Sequence, residues 1–160
     1  MDGDARERGM RISEILPVEA VRVDVPCPDK RSALRRLIAQ AAERVPIDER
    51  EACEVIAHRE RLGSTGIGGG VAVPHARLKA LDAPVACLAR LQQPVAFDAP
   101  DAMPVDIVFL LLSPDEPSSM QLRTLANVTS LLRKPRVLDG LRAASDPEAL
   151  VRILQGAEAA

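Results

Sequence analysis

Residues 59–77, Arg-Glu-Arg-Leu-Gly-Ser-Thr-Gly-Ile-Gly-Gly-Gly-Val-Ala-Val-Pro-His-Ala-Arg, constrain this 160-residue chain more than any other stretch. Five of its nine glycines fall within the eight residues from Gly63 to Gly70. A short apolar run, Val71-Ala72-Val73, follows and delivers Pro74 and then His75, one of only two histidines. A helical pattern ends at Gly63 and a strand pattern begins after Gly70, with a permissive backbone between them. Bare N–H groups on such a backbone suit an anion, and the histidine beside them is a nitrogen nucleophile. Together they point to a site where a phosphoryl group is received and handed on.

The rest of the chain supplies a frame for that stretch. Val21, Val23 and Val25 alternate with Arg22 and Asp24, the period of a half-buried strand. Asp29 is placed to cap a helix with Ala33, Leu34, Leu37, Ile38 and Ala41 on one face. Asp48 and Glu51 form a capping-box-like pair before a second helix, which carries Ala52, Val55, Ile56 and Leu62 inward. Val85 to Leu91 and Val105 to Leu112 read as strands. Gln92 to Pro104 reads as a long connection holding a short strand at Val95 to Phe97. Helices follow over Leu122–Leu132, from near Arg136, and after Asp146-Pro147, where aspartate caps and proline opens the first turn. Residues 1–10 are charged and aperiodic and read as a loose N-terminus. Intermixed helices and strands argue for a single α/β domain.

Composition excludes several classes. There is no Trp or Tyr and only two Phe, so the core must rest on Leu, Val, Ile and Ala. Net charge is −2 with cations and anions interspersed, and neither a basic face nor stacking aromatics are visible for nucleic acid. No apolar run approaches the ~18 residues of a membrane span, and no charged-then-apolar leader is seen, so the expectation is a cytoplasmic protein. Cys27, Cys53 and Cys87 lie far apart without ligand spacing and read as reduced, buried or half-buried thiols rather than metal ligands.

Known phosphate loops do not fit the glycine stretch. A Walker A motif needs Lys where Gly69 stands, and a dinucleotide fingerprint from Gly66 needs glycine where Val71 stands. Here a helix enters the loop and a strand leaves it, the reverse of both nucleotide motifs. What remains is an anion-binding nest from Gly63 through Gly66 and Gly68, with hydroxyl donors on Ser64 and Thr65. Arg59, one helical turn before the loop, and Arg77, two residues past His75, are each shaped to pair with phosphoryl oxygens. For His75 to attack, one ring nitrogen must keep a free lone pair. The other nitrogen would carry its proton to a backbone carbonyl. His58, inside the helical pattern without a partner motif, reads as a solvated or structural histidine.

These residues resemble the signature of type-2 enzyme IIA domains of the bacterial phosphoenolpyruvate-dependent phosphotransferase system, most of all the nitrogen-regulatory branch. The resemblance is carried by Arg59 to Gly68 and Val71 to His75. Pro94-Val95-Ala96-Phe97-Asp98 and Pro104 to Phe109 extend it. It implies an α/β fold over residues 11–156, with a small mixed sheet flanked by helices on both sides. It implies that His75 accepts phosphate from an HPr-like carrier, that Arg59 steadies the phosphoryl charge, and that no cofactor or metal takes part. Such a protein is a phosphocarrier rather than a multiple-turnover enzyme. In the nitrogen-regulatory branch its phosphorylation state acts as a signal to a potassium transporter, a sensor kinase or metabolic enzymes.

One departure stands out. The resemblance leads one to expect a second histidine in a His-Leu-x-x-Leu pattern, and this chain reads Gln121-Leu122-Arg123-Thr124-Leu125. Gln121 offers an amide donor to His75 or its phosphoryl group but no charge. Arg123 lies about 200° around the helix from Gln121 and is a poor substitute. Two other readings stay open: a fructose- or mannitol-type IIA subunit that passes phosphate to a IIB domain, and a binding module whose histidine is no longer phosphorylated. Leu62 and Leu78, close to the site in sequence, are the expected apolar contacts for the carrier.

Overall fold

The computed structural model describes residues 6–116 and 118–160. Its centre is a six-stranded sheet. The strands are β1 (Val21–Val25), β2 (Gly66–Gly68), β3 (Val71–Ala72), β4 (His75–Leu78), β5 (Val85–Val95) and β6 (Val105–Pro114). They run in the order β1-β5-β6-β3-β2, and β4 also pairs with β6. The sheet is mixed, because β5 runs antiparallel to β6 while β3 and β4 both run parallel to it. Around it lie helices α1 (Ile12–Ile15), α2 (Lys30–Ala42), α3 (Glu49–Arg61), α4 (Ser119–Leu132), α5 (Pro135–Ala143) and α6 (Pro147–Ala159).

Consecutive strand residues point to opposite faces, yet Val85 to Ala89 and Ile107 to Pro114 are buried without interruption. Both faces of the central pair are therefore covered, and apolar runs replace alternation. On them pack α2 against β5 and α3 against β4. Phe97 and Phe109 are fully buried among Leu, Ile and Val side chains.

Local chemistry starts the helices where the sequence places them. The Asp29 carboxylate accepts from the Ser32 N–H at 2.8 Å, and the Ser32 hydroxyl completes a capping box. Asp48 accepts from the Glu51 N–H at 2.9 Å and Asp146 from the Ala149 N–H at 2.8 Å, with no return bond from Glu51.

Three expectations are corrected. The connection expected from Gln92 is instead continuous strand to Val95, with a register break between Arg90 and Val95 that accommodates Pro94. The single strand expected to leave the glycine loop with His75 at its tip is split, and His75 opens the second piece. Pro74 has no N–H to give, but its carbonyl accepts from the Leu111 N–H at 3.0 Å and keeps the chain on the edge of β6. Residues 6–10 of the expected loose N-terminus are tied to α4, and residues 1–5 lie outside the described residues. The Met10 N–H donates to the Thr124 hydroxyl at 2.8 Å, and Asn127 donates to the Arg8 and Met10 carbonyls. Arg123 donates to the Arg6 and Glu7 carbonyls, on the side of α4 away from Gln121.

Candidate functional site

His75 sits at the first position of β4, opposite Leu111 on β6. Its Nδ1 lies 2.9 Å from the Val73 carbonyl oxygen. A carbonyl only accepts, so Nδ1 carries the proton and Nε2 keeps the lone pair. The bond spans two residues, and Pro74 between them holds φ near its ring-imposed value. Ring direction and tautomer are thus set by three consecutive residues.

The ring lines a cavity of about 350 Å³, shared by the last turns of α3, the start of β4, the end of β6 and the first turns of α4. Its polar residues are His58, Arg59, His75, Arg77, Ser113 and Gln121. Arg59 donates from Nη1 to the Gly63 carbonyl at 2.8 Å, which pins the guanidinium at the helix end while leaving other N–H groups for an anion. Arg77 is two residues along the strand from His75 and so shares its face. Ser113, opposite Arg77 on β6, was not legible because only the strand register brings it there.

Gln121 lines the same cavity, but its amide nitrogen donates to the Pro114 carbonyl at 2.6 Å and the Glu116 carbonyl at 3.2 Å. Two carbonyl partners demand the NH₂ group, so the amide orientation is settled and its donors are committed. The expected amide donation to His75 is not made. Gln121 instead braces the turn after β6.

The glycine loop is placed differently from the sequence expectation. Gly63, Ser64, Thr65, Gly66 and Gly68 do not line the His75 cavity. The Ser64 hydroxyl donates to the Phe97 carbonyl at 2.5 Å and accepts from the Gly66 N–H at 3.1 Å. Thr65 gives both its hydroxyl and its N–H to the Glu60 carboxylate. That carboxylate is buried and paired with Lys30 at 2.7 Å, and the Lys30 ammonium stands 4.6 Å from the centroid of the Phe97 ring. Further along, the Gly69 N–H donates to Asp101 at 2.9 Å, and the Gly70 carbonyl accepts from the Asp106 and Ile107 N–H groups. Hydrogen bonds from Gly69 and Met103 hold the Asp101 carboxyl below the usual aspartate range. These donors serve the fold rather than an open anion cradle.

An apolar rim surrounds the polar floor, with Val55, Leu62, Leu111, Leu122 and Leu125 lining the cavity. Leu62 is 73% exposed and Leu122 66%, large apolar side chains left in water at the cavity that His75 lines. Leu78, the other expected carrier contact, is buried and unavailable. A second cleft, about 1180 Å³ between α2 and α3, is rimmed by Arg31, Arg35 and Arg36 and holds no histidine. Its one thiol, Cys53, is raised in pKa by burial and is a poor nucleophile. Burial also raises Cys27 and pushes Cys87 up to about 11. Among the described residues, no cluster of three or more His, Cys, Asp or Glu could hold a metal, and no helix is long and apolar enough to cross a membrane.

Residues 14–157 match the family described as "Phosphoenolpyruvate-dependent sugar phosphotransferase system, EIIA 2". The chain belongs to this family. A nitrogen regulatory protein of Bradyrhizobium diazoefficiens is 39% identical over 145 residues, covering 91% of this chain and 95% of the relative. Its Escherichia coli counterpart is 37% identical over 151 residues, covering 93% and 92%. Among solved structures, the nitrogen regulatory protein IIA-Ntr from Neisseria meningitidis superposes with a TM-score of 0.85 at 30% identity, covering 89% of this chain and 98% of that one. This EIIA chain therefore falls in the nitrogen-regulatory branch and has the EIIA type-2 fold, a mixed sheet with packed helices in one domain. Its role is that of an EIIA-type component of the phosphotransferase system.

Proposed function

We propose that this EIIA chain is a regulatory phosphocarrier of the cytoplasm, phosphorylated on His75 by an HPr-like carrier. The observation that carries the reading is the His75 ring itself, with Nδ1–H bound to the Val73 carbonyl and Nε2 left free in a cavity bearing two arginines.

Nε2 attacks the phosphorus of the carrier's phosphohistidine in line. A new N–P bond forms as the donor N–P bond breaks, and the donor imidazole leaves with that electron pair. His75 keeps its Nδ1 proton, so its ring becomes cationic, and the Val73 carbonyl faces that charge. No net proton transfer is needed. Arg59 and Arg77 offset the negative charge on the transferred group. The exposed Leu62 and Leu122 suit a protein donor, because burying them against a carrier excludes water from the transfer. The phosphoryl oxygens bring about two negative charges to that rim, partly balanced by the cationic ring. Such a change alters partner choice, and the partners would be a potassium transporter, a sensor kinase or a metabolic enzyme.

The test is incubation with phosphoenolpyruvate, enzyme I and the small carrier. An acid-labile, base-stable phosphate that maps to His75 is expected. No incorporation with a competent carrier would overturn the proposal.

A further inference from the structure

His58 looks like an ordinary surface histidine in sequence, but the fold gives it a particular position. Val55, His58 and Leu62 follow a spacing of three and four on α3 and its end, so they form one stripe, and all three line the His75 cavity. A protein that docks on Leu62 therefore also covers His58. The imidazole stands exposed in the free chain, in the last turn of α3.

The donors available to a phosphoryl group on Nε2 are few. Gln121 has given both amide hydrogens to the Pro114 and Glu116 carbonyls, so only its oxygen is left, and an oxygen acceptor repels phosphoryl oxygens. Arg59 has one donor on the Gly63 carbonyl. Among the described residues His58 makes no side-chain hydrogen bond or ion pair, so an N–H of its ring is uncommitted.

We infer that His58 is a phosphoryl-binding residue, donating a ring N–H to an oxygen of the phosphoryl group on His75 and supplying the contact that Gln121 does not make. This assignment rests on the reading of His75 as acceptor. A histidine here answers the charge of the phosphorylated state but makes no demand on the unphosphorylated fold. Its contribution belongs to the product and the transfer, not to stability.

The experiment compares wild type, His58→Ala and His58→Asn at equilibrium with the phosphorylated HPr-like carrier, and reads the phosphorylated fraction and the ³¹P shift of phospho-His75. A charge-assisted hydrogen bond of ordinary strength predicts a phosphotransfer equilibrium constant about tenfold lower in His58→Ala. The ³¹P resonance should shift, and the Kd for unphosphorylated carrier should change by much less than the equilibrium constant. His58→Asn, which keeps a donor, should recover much of the loss. An equilibrium constant and ³¹P shift equal to wild type in His58→Ala would overturn the assignment and leave His75 as acceptor. So would a loss that appears equally in the Kd for unphosphorylated carrier. If wild type itself takes up no phosphate, the acceptor reading and this assignment fail together.

Discussion

The His75 cavity and the Gly66–Gly70 hairpin are neighbours in sequence but have opposite relations to solvent. In the cavity, one backbone carbonyl fixes the His75 ring, and arginine, histidine and leucine side chains line the space around it. In the hairpin, Asp101, Asp106 and Arg142 engage the backbone around Gly69 and Gly70, leaving little to offer a ligand. A glycine-rich loop beside a histidine need not form one site with it. Here glycine lets the chain turn tightly between β2 and β3, and the cationic side chains that share the His75 cavity come from α3 and β4.

Mutations separate the two regions. The largest effect belongs to His75→Ala, which should abolish phosphate incorporation, checked by mass spectrometry, while thermal unfolding barely changes. Next is Glu60→Ala, which strands Lys30 and frees Thr65 in a largely buried brace. Removing one partner of such a pair should cost about 3 kcal/mol in urea unfolding.

Gly70→Ala probes the hairpin directly. Its φ is +80°, and a β-carbon would crowd the Arg142 guanidinium, with the Asp106 carboxylate at 3.2 Å. A cost of about 1–3 kcal/mol is expected, with an unchanged phosphorylation rate per folded molecule. A fall in that rate would mean the two regions act as one site after all. Leu62→Asp and Leu122→Asp should each raise the KM for the carrier about tenfold with kcat preserved, given about 1.5–3 kcal/mol for a buried leucine.

The smallest effect concerns pH. Because the Asp101 carboxyl is depressed in the folded protein, its contribution is present above the ordinary aspartate pKa near 4 and is lost as pH falls through the lowered value. The urea midpoints of wild type and Asp101→Asn should differ at pH 7 and converge in acid. A constant difference would show that the Gly69 contact owes nothing to charge.

Much of the fold was legible because its signals are local. Asp29, Asp48 and Asp146 cap the helices they precede, since a carboxylate one turn from an unpaired N–H needs no distant partner. The extension of β5 through Gln92 to Val95 was not legible, because the partner strand β6 carries it past Pro94 against local preference. At the site, His75, Arg59 and Arg77 were readable as chemistry. His58, Ser113, Leu122 and Leu125 needed knowledge of which helix face and which register close over the histidine.

Sequence alone marked His75 as the candidate acceptor, a backbone carbonyl as its ring partner and Arg77 as its neighbour, because those signals lie a turn or less apart. Tertiary structure alone decided where the glycine loop's hydrogen bonds go, what Gln121 donates to, and that His58 faces the same cavity as His75. Those outcomes depend on groups brought together from distant elements. A polar group removed from water takes the nearest partner the fold presents, whatever its neighbours in the chain suggest.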